Sequence, residues 1–238
     1  VNTEEEIPDY QVKLFRTAEG YIKKISLTAL RTSGEQKLKE DDCIIEEVET
    51  SNAGEVIFFG GCSAYKMKIN DIPDGKASQL GEFIPNLVGM EEKEDIIGMV
   101  LPGDYSAALL FCFENGKCAK VPLASYATKS NRRCLKGAYS DKSPTVGMFC
   151  LTEDTDIMLI SSAEKVLCVN TEKIPLKTTR STQGVAVMTL RRNAVVSRVC
   201  LAEDSGFAEP KKYRPRNIPA AGSAIKDADK GIEQMSFI

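Results

Sequence analysis

Leu110-Phe111-Cys112-Phe113-Glu114-Asn115-Gly116-Lys117-Cys118-Ala119-Lys120-Val121 reads as an apolar strand, a polar turn and a second strand. Asn115-Gly116 decides the reading, because glycine tolerates φ > 0 at no steric cost and tight hairpin turns need that conformation. The same unit occurs earlier as Leu14-Phe15-Arg16-Thr17-Ala18-Glu19-Gly20-Tyr21-Ile22-Lys23-Lys24-Ile25. Both copies end in Lys followed by an aliphatic residue. Two further copies lack the matching turn glycine. One is Ile57-Phe58-Phe59-Gly60-Gly61 leading to Tyr65-Lys66-Met67-Lys68-Ile69. The other is Met158-Leu159-Ile160 leading through Ser161-Ser162-Ala163-Glu164-Lys165 to Val166-Leu167-Cys168-Val169.

A second unit follows each hairpin: a polar turn and then paired aliphatics. Its copies are Asp42-Cys43-Ile44-Ile45, Asp95-Ile96-Ile97, Val146-Gly147-Met148-Phe149 and Ala194-Val195-Val196. Ile44, Ile96, Val146 and Val195 are spaced by 52, 50 and 49 residues. Two independent units with one period define a module of about 50 residues built of short strands, the signature of propeller blades. Helix signals are weak throughout, so the fold class is all-β. Asp71-Ile72-Pro73-Asp74 and Glu172-Lys173-Ile174-Pro175 read as turns. Residues 1–9 read as an acidic linker, residues 10–202 as the blade domain, and residues 203–238 as a tail that first lies over the blades and then disorders. Val1 is not a start Met, so the sequence reads as a fragment of a longer chain.

Composition removes several chemistries. The 238 residues include no His, which excludes Ser-His-Asp and Cys-His nucleophiles and every His-containing zinc site. None of the eight cysteines is spaced as C-x-x-C, and most lie in apolar runs, so they read as small buried hydrophobes in a reducing compartment. There is no Trp, no aromatic cluster resembling a base-stacking platform, and no phosphate-cradling glycine motif. No apolar run approaches the length of a membrane span. No catalytic residue, metal site or cofactor is expected in this chain.

Three segments carry a resemblance: Gly20-Tyr21-Ile22-Lys23-Lys24-Ile25-Ser26-Leu27, then Tyr65-Lys66-Met67-Lys68-Ile69 with Ile72-Pro73, then Arg180-Ser181-Thr182-Gln183-Gly184-Val185. In order and spacing the chain from about Tyr10 to Leu201 resembles the C-terminal domain of the A subunits of DNA gyrase and topoisomerase IV. The resemblance implies a β-pinwheel whose blades exchange strands and whose rim binds and bends double-stranded DNA, independently of sequence. It places the DNA-cleaving tyrosine, and the use of ATP and Mg²⁺, in other parts of the enzyme. It implies as partners the ATPase B subunit together with the remainder of the A subunit, and a cytoplasmic, nucleoid-associated location. Two departures stand out. The basic glycine-rich box of gyrase is here Arg31-Thr32-Ser33-Gly34-Glu35-Gln36-Lys37-Leu38-Lys39-Glu40, with only Arg31, Gly34, Lys37 and Lys39 of its character left. That points toward topoisomerase IV, and toward relaxation and decatenation rather than supercoiling. The family carries five or six blades, whereas four repeats are visible, which implies a small or incomplete disc unless a divergent fifth blade lies in the termini.

A formal charge of −3 is poor for a DNA binder, whose affinity comes largely from neutralising phosphates. The charge is uneven, however. Residues 1–106 hold 11 Lys+Arg against 21 Asp+Glu, residues 107–201 hold 14 against 7, and the rest hold six of each. The candidate phosphate contacts are Lys23, Lys24, Lys117 and Lys120 beside the hairpin turns, Lys129, Arg132, Arg133 and Lys136 in a loop, and Arg180, Arg191 and Arg192. Each has a plainer alternative: solvated edge lysines for the first four, a solvated loop for the next four, and a charged turn for Arg191-Arg192. At the level of function, the alternative is a propeller that docks on protein, supported by the acidic first half. A propeller enzyme is the weakest reading, since no polar groups converge in the sequence.

Overall fold

The computed structural model describes residues 6–128 and 133–231. Its strands, in chain order, are β1 (Gln11–Thr17), β2 (Tyr21–Ser26), β3 (Ile44–Ser51), β4 (Glu55–Gly60), β5 (Ser63–Lys68), β6 (Glu82–Phe83), β7 (Ile96–Val100) and β8 (Ala108–Phe113). They continue as β9 (Lys117–Pro122), β10 (Cys134–Lys136), β11 (Thr145–Leu151), β12 (Asp156–Ser161), β13 (Lys165–Asn170), β14 (Val185–Ala186), β15 (Val196–Leu201) and β16 (Ser223–Ala224). They form four four-stranded sheets, ordered β3-β1-β2-β6, β10-β5-β4-β7, β11-β8-β9-β14 and β15-β12-β13-β16, which we call blades 1 to 4. Among the described residues there are four sheets and no fifth, so the four repeats counted in the sequence are the four blades.

The sheets fall into two compact units. Blades 1 and 2 form the first, up to Gly103 and including β10; blades 3 and 4 form the second. Most of the hairpin strands are almost wholly buried, as in β8 and β12, while β5 is half-buried toward its end. A sheet stacked on both faces needs such continuous apolar runs. The edge strand β3 instead alternates between half-buried and exposed positions. The first unit's core joins Val12, Leu14 and Ile22 of blade 1 to Val56 and Phe58 of blade 2. The second joins Leu110, Cys112 and Cys118 of blade 3 to Ile157, Leu159 and Leu167 of blade 4. Every blade carries a β-bulge where its third strand joins the hairpin, at Arg16/Thr17, Phe59/Gly60, Thr145/Gly147 and Ile160/Ser161. The bulge recurs at the start of the third strand in each module, where it bends the strand and sharpens the local twist.

The fourth strand of each blade comes from later in the chain. β6 follows the blade 2 hairpin yet pairs with β2; β14 follows the blade 4 hairpin yet pairs with β9. Among the described residues no further hairpin module follows blade 4, and β16 takes that place: Lys165 pairs with Ala224 and Val166 with Ser223. The segment after Glu203 is therefore part of the blade architecture, which corrects the boundary drawn at 202. Its Phe207 and Tyr213 cover Met158, Ile160, Val166 and Cys168 on the face of blade 4 away from the blade 3 contact. Arg214 donates to both oxygens of Asp156, at 2.8 and 2.6 Å, and fixes the tail on β12. At the other end, Pro8 and Asp9 accept hydrogen bonds from Asn52 and Ser51, so the linker is tied down from Pro8 on. All eight cysteines are free thiols; Cys43 and Cys150 are exposed, contrary to the expectation of burial.

Candidate nucleic-acid interface

Three of the expected phosphate contacts are internal. Lys23 is 4% exposed, Lys24 1% and Lys120 8%. The Lys23 ammonium donates to Gln36 Oε1 at 2.8 Å and to the Ala77 and Lys37 carbonyls. Lys24 donates to Asn52 Oδ1 at 2.8 Å and to the Ile69 carbonyl at 3.1 Å, with Asp74 3.5 Å away. Lys120 donates to Asp154 and to the Thr171 carbonyl. Their polar heads are consumed in joining one blade to the next, so these three leave the phosphate-binding set. Burial lowers the pKa of Lys23, and that of Lys24 against the opposing pull of Asp74.

The second unit gathers other cations. From Gly116, whose carbonyl accepts from Val187 and Met188, the chain runs out through Arg191 and Arg192 and returns where Val196 N–H donates to the Glu114 carbonyl. Lys117 pairs with Ala186 at the start of this excursion. Lys117, Arg191 and Arg192 thus share the hairpin-turn end of blade 3, where the two arginines are exposed and Lys117 half-buried. A second excursion leaves β9 where Lys177 N–H donates to the Lys120 carbonyl at 2.8 Å, and rejoins it at the Val185–Cys118 pair. Arg180 lies in it and donates from Nη1 to the Ser125 carbonyl at 3.0 Å, a half-buried anchor rather than a fully extended cation. Gly184 (φ +71) lets this loop close: a Cβ there would stand 1.9 Å from the Cys118 carbonyl oxygen. Gly81 and Gly222 meet the Ile22 and Val166 carbonyls in the same way, each just before its exchanged strand.

The two units share a segment whose backbone is alike and whose charge is opposite. Residues 71–76 are Asp-Ile-Pro-Asp-Gly-Lys, and residues 173–178 are Lys-Ile-Pro-Leu-Lys-Thr. Ile72 N–H donates to Ile69 and Ile174 N–H to Thr171; Gly75 N–H donates to Lys24 and Lys177 N–H to Lys120. Both Ile72 and Ile174 are buried. Lys173 and Lys177, both exposed, stand where the first unit has Asp71 and Gly75. Lys173 is missed in the sequence because Glu172-Lys173-Ile174-Pro175 reads only as a turn, and Lys177 counts there toward the basic half without being among the phosphate contacts.

In the first unit, Arg31, Gly34, Lys37 and Lys39 are all exposed, but Glu35 and Glu40 stand exposed among them. Lys37 N–H is tied to the Ala77 carbonyl, and the Lys39 ammonium lies 5.1 Å over the Tyr21 ring. Arg133 and Lys136 are exposed at β10 in blade 2, while Lys117, Arg180, Arg191 and Arg192 lie in the second unit. Lys129 and Arg132 lie outside the described residues. Among the described residues no three His, Cys, Asp or Glu side chains converge to hold a metal ion, and no helix is long and apolar enough to cross a membrane.

Four blades, each completed by a strand from farther along the chain, define a β-pinwheel. The chain is homologous to the A subunit of topoisomerase IV. It is 24% identical over 181 residues to the DNA topoisomerase 4 A subunit of Staphylococcus aureus, a match covering 73% of this chain and 22% of that protein. Among solved structures it is similar to a C-terminal domain of DNA topoisomerase IV, with TM-score 0.72, 20% identity, and coverage of 82% of this chain and 62% of that one. It is also similar to the Escherichia coli ParC C-terminal domain, with TM-score 0.68, 12% identity, and coverage of 92% and 95%. The DNA gyrase A C-terminal domain superposes with TM-score 0.52 at 17% identity, covering 82% of this chain and 66% of that one. No family model matches the chain.

Proposed function

We propose that this domain holds and bends duplex DNA for a type II topoisomerase, without cleaving it, and that its DNA-facing surface lies on blades 3 and 4. The observation that carries the reading is the inversion of charge between residues 71–76 and 173–178 on equivalent backbone. On that backbone Lys173 stands for Asp71, Leu176 for Asp74 and Lys177 for Gly75, so two acids give way to two cations that can hold phosphate. Lys173, Lys177, Lys117, Arg191 and Arg192 supply the charge. Their two attachment points on β9, at positions 117 and 120, are about 10 Å apart at strand rise. Each cation acts on a phosphate within a Debye length, roughly 8 Å at physiological salt, so the local charge counts for more than the net negative charge of the chain. Contacts to phosphate carry no base information, so binding is sequence-tolerant. Bending a site of 20–30 bp by 40–90° costs on the order of 1–6 kcal/mol, which several such contacts must offset.

The mixed charge around Glu35 and Glu40 supports relaxation and decatenation over supercoiling in the whole enzyme. Cleavage chemistry, ATP and Mg²⁺ are assigned to the ATPase B subunit together with the remainder of the A subunit, in the bacterial cytoplasm at the nucleoid. A second reading, docking on protein, has one supporting feature: exposed Ile45, Glu47 and Glu49 along the β3 edge. The test is binding to a duplex of about 150 bp, one persistence length, titrated in salt with end-labelled bending as readout. Replacing Lys173 and Lys177 by Ala is expected to reduce the salt slope by about two, while replacing Lys37 and Lys39 leaves it unchanged. The reverse ranking would move the surface to blade 1. No binding at low salt would favour protein docking.

A further inference from the structure

Leu176 is 53% exposed, the most exposed of the three large apolar side chains that face solvent among the described residues. Its exposure is built in. Ile174 on one side is buried, Pro175 fixes the backbone, and Lys177 N–H is bonded to the Lys120 carbonyl on the other side. Leu176 itself bridges Lys120, as Asp74 bridges Lys24 in the first unit. There the side chain has internal work: Asp74 accepts from the Tyr10 hydroxyl at 2.9 Å and lies 3.5 Å from Lys24. In the second unit Asp154 supplies the carboxylate to Lys120, and position 176 is released from that task. What occupies it is a leucine pointing outward between two exposed lysines, Lys173 and Lys177. Ile45, exposed beside Glu46 and Glu47, has no such setting.

We propose that Leu176 is an apolar wedge that enters a base step from the minor groove while Lys173 and Lys177 hold the flanking phosphates. This rests on the DNA-binding reading of blades 3 and 4. The chemistry is that of architectural DNA binders, in which an aliphatic side chain partially unstacks one step and concentrates a bend there. A rigidly mounted leucine flanked by cations meets both requirements: it cannot fold back, and its neighbours anchor the strand on either side. The wedge confers a preference that phosphate contacts alone cannot give. Pyrimidine–purine steps such as TA open readily and A-tracts resist, so the domain favours duplexes with a TA step at the bend.

The test uses the full chain and two duplexes of about 150 bp, one with a central TA step flanked by 2-aminopurine and one with a central A-tract. With the native chain, fluorescence rises as the step unstacks, the labelled ends approach, and the TA duplex binds several-fold tighter. Leu176→Ala is expected to abolish the fluorescence rise and the TA preference and to reduce bending, with an unchanged salt slope. Lys173→Ala with Lys177→Ala lowers the slope instead. A Leu176→Ala chain that unstacks and bends DNA like the native one would overturn the wedge and leave the DNA-binding reading standing. A native chain with no affinity for either duplex at low salt would overturn both.

Discussion

Lys120 on β9 places its ammonium 3.1 Å from the Asp154 carboxylate, across the boundary from blade 3 to blade 4, and 2.8 Å from the Thr171 carbonyl. Lys24 makes the same reach from blade 1 to blade 2, with Asn52 and Ile69 at the corresponding positions. The cation is thus a repeated fastening between stacked sheets. It adds a charged second donor to a carbonyl at the start of a 3₁₀ turn, which also accepts from the backbone N–H of Ile174 or Ile72, and so ties that turn to Asp154 in one unit and to Asn52 in the other.

Replacing Lys120 by Met should therefore destabilise the chain by about 1.5–3 kcal/mol, the usual worth of hydrogen bonds made by a charged group. Lys24→Met should do likewise. Lys173→Met, on the surface, should stay within about 0.5 kcal/mol. Urea unfolding ranks the three, and a neutral Lys120→Met would refute the fastening.

The exchanged strands make a second ranking. A Cβ at Gly184 would meet the Cys118 carbonyl oxygen at 1.9 Å, and φ there is +71. The obstacle is backbone and cannot step aside. Gly184→Ala should cost more than about 2 kcal/mol, through strain and displacement of β14. Gly34 has nothing within 4 Å. Gly34→Ala should leave both stability and DNA affinity unchanged if the degenerate box has no role in binding. Thermal unfolding and the salt titration measure the two effects.

The hairpins are legible because Asn115-Gly116 and the recurring aliphatic pairs are strong local signals. The strand exchange is not, because β6, β14 and β16 are two residues long and pair with strands of an earlier module. Lys23 and Lys24 are misplaced by the sequence pattern for a related reason. Alternation along a strand assumes one wet face, but stacking covers both faces of β2. The Lys173–Lys177 patch has a signal, the charge inversion against Asp71–Gly75. It shows only when the turn segments, and not just the hairpins, are aligned between repeats.

Glu164 occupies the turn position that Gly116 holds in blade 3, and does so at φ 58. A left-handed L-residue costs roughly 1–2 kcal/mol, and glycine's extra freedom when unfolded offsets part of the relief. Glu164→Gly should raise stability by up to about 1 kcal/mol, or a few degrees in Tm. A lower Tm would show that the side chain contributes something the turn geometry does not reveal.

Thiol chemistry should divide the cysteines by exposure. Cys43 is exposed and should react with a maleimide first. Cys150 is also exposed, but desolvation around its sulfur raises its pKa, so it should follow more slowly. Cys112 and Cys118 sit opposite each other on β8 and β9, Sγ to Sγ 3.3 Å, fully buried. The hydrogen bond between the Cys112 and Cys118 thiols, and then burial, hold the Cys112 thiol protonated. Mass spectrometry of the native chain should find neither labelled until urea is added. Early labelling at Cys112 would mean that the blade 3 hairpin opens in the native state.

The tail's attachment to blade 4 should carry a pH signature. Tyr213 is buried, and its hydroxyl contacts Asp229 within the tail while accepting from Lys226 N–H. Burial, and then the neighbouring carboxylate, push its pKa up to about 12, against about 10 for a free tyrosine. The folded state therefore holds this proton more tightly than the unfolded one. Its contribution to stability is fully present below pH 10 and is lost as pH rises toward 12. Absorbance at 295 nm should show a late-ionising phenol that Tyr213→Phe removes. Tyr126, raised by burial and donating to the Ala138 carbonyl, remains as a late group, and burial raises Tyr10 and Tyr65 as well. Limited proteolysis should cut the tail between pH 10 and 12 before the blades. If Tyr213→Phe leaves the titration above pH 11 unchanged, the tail is not fastened through this pair.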